Sequence, residues 1–311
     1  MPTHSETLIK YIADYAMVMS ENNISSVLHE PYALTAEQKT YYRKNGFIRL
    51  KDVIPADVLD YYTPFIEAAV GVSGDDPLDE QLAKDAKDPT YSRAFKQVIN
   101  IWAKPEHAKV KELAFSKRLA RIAAELMGDD VTGVRMYHDQ ALFKWPGGGH
   151  TPYHADQFYW PLQSEKTVTA WMPLTAVPTE MGPLEFVAGS QNADLGRSVG
   201  IGIASDAAVS AAVKQGGYEL ITGPFEAGEV SFHSGWTFHK APPNTTTDKT
   251  RKVLTVIYMD KDMKMAEPLN DNQRADANRY LTGVEVGKVC DGPLNPILWE
   301  KEEEKAIDTL V

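Results

Sequence analysis

The chain is poor in cysteine and in positive charge, and both shortages exclude classes of protein. Cys290 is the single cysteine in 311 residues, so an internal disulfide framework and any multi-cysteine zinc or iron–sulfur site are excluded. The formal net charge of −11 argues against a nucleic-acid partner, because a phosphate backbone is bound by a basic face. The lack of disulfides fits a reducing compartment.

Long apolar runs are also missing from the sequence. No window approaches the roughly 18 consecutive apolar residues of a membrane-spanning helix. The N-terminus does not show a basic start followed by an unbroken apolar run, which would be typical of a secretory signal. We therefore expect a soluble cytoplasmic protein with no membrane partner. The sequence gives no indication of its oligomeric state.

The predicted secondary structure changes twice along the sequence. These changes divide the single domain expected for residues 1–311 into three parts. Residues 1–130 are predicted to be mainly helical, with a surface loop over the acidic stretch 71–89. Residues 131–260 consist of short β-rich runs separated by Gly, Pro, Asn and Asp, a pattern typical of a sandwich or barrel. Residues 261–311 form a mixed C-terminal extension that ends in a charged, solvated helix. The expected fold class is mainly β with flanking helices.

Several elements of the N-terminal part carry specific signals. Thr35 and Gln38 match a capping box at the start of a helix, and Gly46 can end that helix. Residues 47–54, "FIRLKDVI", form a short β-favouring run. Residues 116–128 place apolar side chains at helical spacing and close with a glycine. These patterns predict a helix, a strand and a second helix in that order.

The stretch "TPYHADQFYWPL" contains a histidine and an aspartate two residues apart, His154 and Asp156. Residues i and i+2 of a strand point the same way, about 6.6 Å apart along the chain, so near a strand end the two side chains can converge. Two histidines and one carboxylate around one ion leave coordination positions open, as in non-haem Fe(II) oxygenases. A buried hydrogen-bonded pair explains the same two residues, so both interpretations stand at this point.

The stretch "SFHSGWTFHKAPPNTTTDKTRKV" supplies two further histidines, His233 and His239, and then Arg251. Six extended residues span roughly 20 Å, so both histidines could bind one ion only if the chain turned between them. The Pro- and Asn-rich turn material after His239 would fold the strand of Arg251 back beside it. An arginine fork can grip a carboxylate in bidentate fashion, here the far carboxylate of a co-substrate that chelates the metal.

In combination, these motifs resemble the phytanoyl-CoA dioxygenase-like (PhyH) family of Fe(II)/2-oxoglutarate-dependent oxygenases. The resemblance runs from about residue 46 to about residue 258. It implies a double-stranded β-helix core, that is, a cupin-like jelly roll. It also implies His154, Asp156 and His239 as the iron ligands and Arg251 as the anchor of 2-oxoglutarate.

The same resemblance implies that Trp171 and Met136 line the co-substrate pocket. The family often has a hydroxyl residue two places after the distal histidine, where this sequence has Ala241. That departure predicts that another hydroxyl, from Thr237 or Thr151, makes the second contact with the co-substrate.

Six further residues are predicted to contact the substrate or to support the ligands: Lys144, Tyr153, Gln157, Phe158, Tyr159 and His233. Phe158 and Tyr159, together with Trp160, could exclude water from the reaction. Tyr153 and Gln157 flank the ligand pair, and a purely structural packing role explains them equally well. Lys144 fits a surface ion pair as well as a pocket cation, and His233 is expected to be structural or supporting rather than a ligand.

The resemblance implies a dioxygenase that consumes O2 and 2-oxoglutarate, releases succinate and CO2, and hydroxylates or otherwise oxidises an unactivated C–H bond of a small organic molecule. Two alternatives remain open: a non-catalytic cupin-like binding module, and a metalloenzyme of the same fold with non-oxidative chemistry. No basic tract is available for the phosphates of coenzyme A, which favours a small polar or secondary-metabolite substrate over an acyl-CoA.

Overall fold

The structure is a computed structural model, and it describes residues 24–71 and 95–301. The helices are α1 (Ala36–Asn45), α2 (Ala56–Val70), α3 (Ala108–Ala114), α4 (Lys117–Met127), α5 (Ile203–Gly216) and α6 (Asp271–Tyr280). The strands are β1 (Phe47–Leu50), β2 (Lys96–Ile99), β3 (Gly133–Lys144), β4 (Thr151–His154), β5 (Thr167–Pro173), β6 (Glu185–Val187), β7 (Leu220–Ile221), β8 (Val230–Ser234), β9 (His239–Ala241), β10 (Arg251–Asp260) and β11 (Ile297–Glu300). The predicted acidic loop and the predicted charged terminal helix lie outside the described residues, apart from the first residue or two of each.

Helix α1 begins and ends where its sequence signals predict. The Thr35 hydroxyl accepts a hydrogen bond from the Gln38 backbone N–H at 3.2 Å, and the Gln38 side chain accepts from the Thr35 N–H at 2.8 Å. These two bonds satisfy N–H groups that have no partner within the helix. Gly46 ends the helix at φ +79°, a left-handed conformation that glycine adopts without steric cost. The chain then enters β1 directly, so α1 fixes one edge of the larger sheet.

Two antiparallel sheets build the core. The seven-stranded sheet has the order β1-β8-β5-β10-β3-β11, with β2 also paired to β3, and the four-stranded sheet has the order β4-β9-β6-β7. Within the described residues, neither sheet closes into a barrel. The predicted fold class, a mainly β jelly-roll core with flanking helices, is confirmed. Strands from all three predicted parts of the chain share the larger sheet, while the expectation of a single domain stays a prediction.

The two faces of the larger sheet have different roles, and β10 shows this by alternation. Leu254 and Val256 point to the main apolar core, which the sheet forms with the N-terminal helices. Thr255 and Ile257 point the other way and line a cavity. Successive residues of a strand face opposite sides of a sheet, so one strand supplies both the core and the cavity wall.

A β-bulge interrupts this alternation in β3. Ile257 of β10 pairs with His138, but Tyr258 pairs with Met136, so Tyr137 is an extra residue in the ladder. Beyond the bulge, His138 lines the cavity, whereas Met136 packs in the main core. The bulge therefore sets which residues of β3 reach the cavity.

Candidate active site

His154 and His239 stand opposite each other on β4 and β9 of the smaller sheet, with ring centroids 4.3 Å apart. Asp156 follows the end of β4 and opens a short 3-10 turn, which a hydrogen bond from the Gln157 N–H to the Gly235 carbonyl holds at 2.9 Å. One ligand atom from each of His154, Asp156 and His239 lies within 4.8 Å of the others. The predicted convergence of the three side chains is present in the structure.

The hydrogen bonds of the two histidines fix which ring nitrogen is available. His154 Nδ1 lies 2.8 Å from the Pro152 carbonyl, and His239 Nδ1 lies 2.9 Å from the Thr237 carbonyl. A carbonyl only accepts hydrogen bonds, so each Nδ1 carries the proton and each Nε2 keeps a free lone pair. These Nε2 atoms lie 3.6 Å and 3.9 Å from Asp156 Oδ1, and all three atoms can face one ion.

The other oxygen of Asp156 is held by the larger sheet. Oδ2 accepts a hydrogen bond from the Thr169 hydroxyl at 2.9 Å and lies 3.2 Å from His233 Nε2. His233 Nδ1 is buried without a hydrogen-bond partner, which fits an imidazole that carries its proton on Nε2 and donates it to Asp156. The carboxylate is therefore clamped on one oxygen and free on the other.

The electrostatics of the three groups suit a cation. Burial and a neighbouring imidazole lower the pKa of His154 and that of His239 to about 4, so both rings are neutral at pH 7. Burial tends to raise the pKa of Asp156, but nearby His239 and hydrogen-bonded His233 outweigh it and hold this pKa well below its ordinary value. Two neutral imidazoles and one carboxylate form the donor set of non-haem iron, so the residues fit the metal.

Arg251 begins β10 and is only 2% exposed. Its guanidinium lies 5.6 Å from the ring centre of Trp171 and donates to the Gly182 carbonyl, while Nε is buried without a partner. Burial lowers the pKa of Arg251 to about 10, and the group still carries its charge at pH 7. Within the described residues it forms no ion pair. A buried, unpaired guanidinium is unfavourable unless an anion joins it, so this part of the cavity fits a carboxylate such as that of 2-oxoglutarate.

Lys144 lies directly opposite Arg251 in the β3–β10 ladder, so the two side chains share one face of the sheet. The ammonium is fully buried and donates to the Pro242 carbonyl at 2.9 Å. Burial, with the charge of Arg251, lowers the pKa of Lys144 to about 6. Lys144 is not among the cavity-lining residues, so the structure contradicts both the surface placement and direct contact with a ligand.

Thr151 and Thr237 have different hydrogen bonding, which separates the two hydroxyls proposed from the sequence. The Thr237 hydroxyl donates to the Gly46 carbonyl at 2.7 Å and ties the end of α1 to the core. The Thr151 hydroxyl is buried, lines the cavity and has no partner in the described part of the chain. Thr151 also pairs directly with Ala241 across β4 and β9. Only Thr151 is placed to meet a ligand.

The three candidate ligands and the anchor face a single cavity of about 480 Å³ between the two sheets. Trp171, Tyr159, Trp160 and His233 all line this cavity. Tyr159 is fixed there because its hydroxyl accepts a hydrogen bond from the Ile201 N–H at 2.9 Å. The aromatic rings beside the ligands can keep water away from the reacting atoms.

Four predicted residues are placed elsewhere. The prediction that Met136 lines the pocket is wrong, because the bulge in β3 turns this side chain into the main core. Tyr153 packs against α5 and hydrogen-bonds to Glu185. Gln157 supports the ligand turn by accepting from the Thr167 hydroxyl at 2.7 Å. Phe158 is not among the cavity-lining residues.

Two sets of site residues were not predicted from the sequence. Thr169, which clamps Asp156, lies two residues before Trp171 on β5, and this period of two was a usable signal because both side chains share a face. Helix α6 contributes Asn272, Asp276 and Tyr280 to the cavity wall. No motif in that helix marks it as part of a site, and only the tertiary fold brings it there.

A jelly-roll core in which two histidines and a carboxylate converge beside a buried arginine defines the class of non-haem iron oxygenases that use 2-oxoglutarate. Residues 42–253 match the sequence profile of the family described as phytanoyl-CoA dioxygenase (PhyH). This match covers more than half of the chain, so the chain belongs to that family. It is an iron- and 2-oxoglutarate-dependent dioxygenase.

Known proteins with similar sequences or folds agree with this assignment. A Stutzerimonas stutzeri protein named "probable alpha-ketoglutarate-dependent hypophosphite dioxygenase" is 22% identical over 229 residues, which cover 70% of this chain and 77% of that protein. The structure of SnoK, a non-haem α-ketoglutarate-dependent carbocyclase from nogalamycin biosynthesis, has a TM-score of 0.67 and 25% identity over 86% of this chain and 99% of SnoK. The epimerase SnoN in complex with Fe3+, α-ketoglutarate and nogalamycin RO has a TM-score of 0.67 and 22% identity, over 85% and 98% of the two chains.

No helix in residues 24–71 or 95–301 combines the length and the apolar character needed to cross a membrane.

Proposed function

We propose that His154, Asp156 and His239 bind the iron and that the enzyme hydroxylates an unactivated C–H bond of a small organic molecule. The observation that carries this assignment is that Nε2 of each histidine and Oδ1 of Asp156 face one another and open onto the cavity that also holds Arg251. When bound, iron and 2-oxoglutarate supply the oxidant from O2, with release of succinate and CO2. The three protein ligands leave positions for the co-substrate and oxygen.

The chain's own residues position the reactants. Arg251 would bind the distal carboxylate of 2-oxoglutarate, with Trp171 packed against the guanidinium and the Thr151 hydroxyl as a further donor. Thr169 and His233 would hold Asp156 so that its other oxygen stays directed at the metal. Tyr159 and Trp160 would exclude water during oxidation.

Anaerobic reconstitution tests the ligand assignment. Adding Fe(II) and then 2-oxoglutarate to the apoprotein is expected to give the visible charge-transfer band of the chelate. His154→Ala, Asp156→Ala and His239→Ala are each expected to abolish the band, while His150→Ala, four residues before His154, is the matched control and should retain it. A band that persists at full intensity in all three ligand variants would contradict the assignment. Succinate release on exposure to O2 separates a dioxygenase from a binding module.

A second outcome of the same chemistry is cleavage of a substrate C–H bond without insertion of oxygen. SnoK and SnoN are named as a carbocyclase and an epimerase, and both folds cover most of this chain. Labelled O2 separates the two outcomes once a substrate is found: hydroxylation places the label in the product, whereas ring closure or epimerisation does not. The mass of the product therefore decides between them.

A small polar or secondary-metabolite substrate is favoured over an acyl-CoA. In the part of the chain that the structure describes, the cationic side chains at the cavity are Arg251, which faces the co-substrate end, Arg279 and Lys240. Lys240 is already paired with Glu185 at 3.2 Å. That set does not form a basic surface for several phosphates. Competition with an acyl-CoA in the substrate assay tests this preference. A cytoplasmic location is part of the same proposal.

A further inference from the structure

Helix α6 forms one wall of the cavity. It spans residues 271–280 and lies beyond residues 42–253, which match the family profile. Asn272, Asp276 and Arg279 are spaced at i, i+4 and i+7, so they share one helix face, and all three line the cavity. Ala275 and Tyr280 of the same helix also line the cavity, so α6 presents both polar and apolar side chains to it.

Asp276 is the partly buried carboxylate at the centre of that face. The Tyr137 hydroxyl donates to Asp276 Oδ2 at 2.9 Å, and in the described part of the chain Oδ1 has no hydrogen-bond partner. Arg279, one turn further along, is exposed at the rim and forms no ion pair with Asp276. Burial raises the pKa of Asp276 to about 7, against the opposing effect of Tyr137 and Arg279. The carboxylate is therefore oriented by Tyr137 and keeps one oxygen without a hydrogen bond from the described residues.

His138 provides a second polar group in the same region. The imidazole is 6% exposed and lines the cavity, yet its Nδ1 has no partner within the described residues. Its ring lies 4.7 Å from that of Tyr280, the last residue of α6. Asp276 and His138 therefore flank Tyr280 on adjacent elements and face the same space. A buried polar atom without a partner is rare in a folded protein unless a ligand or water completes it.

Aromatic rings surround these two groups. Tyr137 lies 5.3 Å from Trp160 and 6.1 Å from Tyr280, measured between ring centroids. Trp160 and Tyr280 both line the cavity, on the side of the β3 bulge. Ring faces of this kind pack against a flat or cyclic ligand body.

We propose that Asp276, assisted by His138, binds a hydrogen-bond-donating substituent, a hydroxyl or an ammonium, on a substrate whose ring body packs against Trp160 and Tyr280. The inference rests on the proposed function, since it takes the cavity to be the substrate site of an iron-loaded enzyme. Asp276 Oδ1 accepts the hydrogen bond, and Tyr137 holds the carboxylate in that orientation. A site with polar groups of this kind rejects analogues that lack the donor, because the carboxylate then stays desolvated and unpaired.

Three probes with one ring test the proposal: tryptophol carries a hydroxyl, tryptamine an ammonium, and 3-ethylindole neither. Each is titrated calorimetrically into the anaerobic enzyme loaded with Fe(II) and 2-oxoglutarate, after the charge-transfer band has been recorded. At pH 8.5, above the pKa of about 7 of Asp276, the carboxylate is ionised, and at least one donor-bearing probe is expected to bind about tenfold or more tightly than 3-ethylindole, as for a hydrogen bond to a charged group.

Variants at Asp276 distinguish the two donors. In Asp276→Leu the preference for either donor is expected to fall to about twofold or less, because the acceptor is gone. In Asp276→Asn a preference for the ammonium is lost with the charge, whereas a preference for the hydroxyl persists because the amide oxygen still accepts. Asp271→Asn is the matched control on the same helix: its side chain is 96% exposed, and the wild-type preference is retained.

Equal binding of the three probes, no binding of any probe at millimolar concentration, or a donor preference that survives in Asp276→Leu would overturn the proposal. Absence of the charge-transfer band would instead overturn the proposed function. Failure of the substrate-binding proposal and failure of the proposed function are therefore seen as two different results on the same sample.

Discussion

Thr151 and Ala241 stand opposite each other on β4 and β9. Ala241 lacks a hydroxyl, and Thr151 carries a buried one that has no partner within the described residues. Both residues line the cavity, so a contact that the family often makes from one strand can be made here from its neighbour. A side chain opposite a given residue on a paired strand reaches nearly the same space.

Thr151→Val is therefore expected to raise the dissociation constant for 2-oxoglutarate about fivefold, the typical effect of losing one neutral hydrogen bond. Titration of the charge-transfer band measures it. Thr151→Ser should retain the wild-type affinity because it keeps the hydroxyl. Thr237→Val is the matched control: its hydroxyl is bonded to Gly46, so we expect lower stability with unchanged affinity. Equal affinity of wild type and Thr151→Val would refute the role.

Removing the charge of Arg251 should weaken co-substrate binding far more. Arg251→Met is expected to lower the affinity for 2-oxoglutarate at least about a hundredfold, because a buried charge-assisted pair is lost. Arg251→Lys keeps a charge without the planar fork and should fall between wild type and Arg251→Met. The same titration reports both variants. Lys252→Met is the neighbouring control, since Lys252 pairs with Glu67 at 2.5 Å and does not line the cavity. A similar loss in that control would point to a general effect on β10.

Thr169→Val should weaken iron binding without removing a ligand. The change releases one of the two hydrogen bonds that orient Asp156, and losses of this kind typically lower metal affinity about 10- to 100-fold. Competition with a chromophoric chelator for Fe(II) measures the effect. Thr169→Ser should restore most of the affinity. Thr167→Val on the same strand removes a hydroxyl that contacts Gln157 instead, so it controls for the loss of a buried hydroxyl. Wild-type iron affinity in Thr169→Val would exclude the clamp.

Lys144 should make the stability of the apoprotein depend on pH. Its pKa is lowered from 10.5 to about 6 on folding, so between these values the unfolded chain binds more protons than the folded one. The free energy of unfolding therefore rises with pH in this window, by at most about 1.4 kcal/mol per pH unit for one proton. Lys144→Met should lack that contribution. Urea unfolding of both proteins between pH 7 and pH 9 measures the difference in slope, and parallel pH profiles would show that Lys144 does not titrate as expected.

The parts of the site that could be predicted from the sequence are those encoded by local spacing. His154 and Asp156 converge because a strand ends between them, and α1 has the bounds that its capping residues predict. Spacing alone left His233 and His239 both open as the second histidine ligand, and the family resemblance selected His239. The turn-forming residues after His239 predicted that the strand of Arg251 folds back beside it. In each case the relevant interactions are within a few residues or across a single paired strand.

The parts that could not be predicted depend on contacts between distant segments. Met136 appeared suitable by its distance from His154, but the bulge in β3 reverses its direction, and no residue in that strand signals a bulge. Lysine usually lies at the surface, but Lys144 is buried and donates to the Pro242 carbonyl of the β9–β10 connection. Asp276 reaches the cavity through the packing of a C-terminal helix whose sequence is merely polar. Burial of these groups is a property of the assembled fold.

Tyr137, the extra residue in β3, allows three consecutive side chains to point into three different environments. Met136 enters the apolar interior, Tyr137 orients the carboxylate of α6, and His138 faces the bound molecules. A regular strand could not do this, since neighbours there share only two directions. Deleting Tyr137 would leave Met136 opposite Tyr258 and His138 opposite Ile257, so the ladder would become regular without turning either side chain over. Only the phenol that holds Asp276 would be lost, which makes the bulge an insertion that serves the cavity and that the sheet itself does not need.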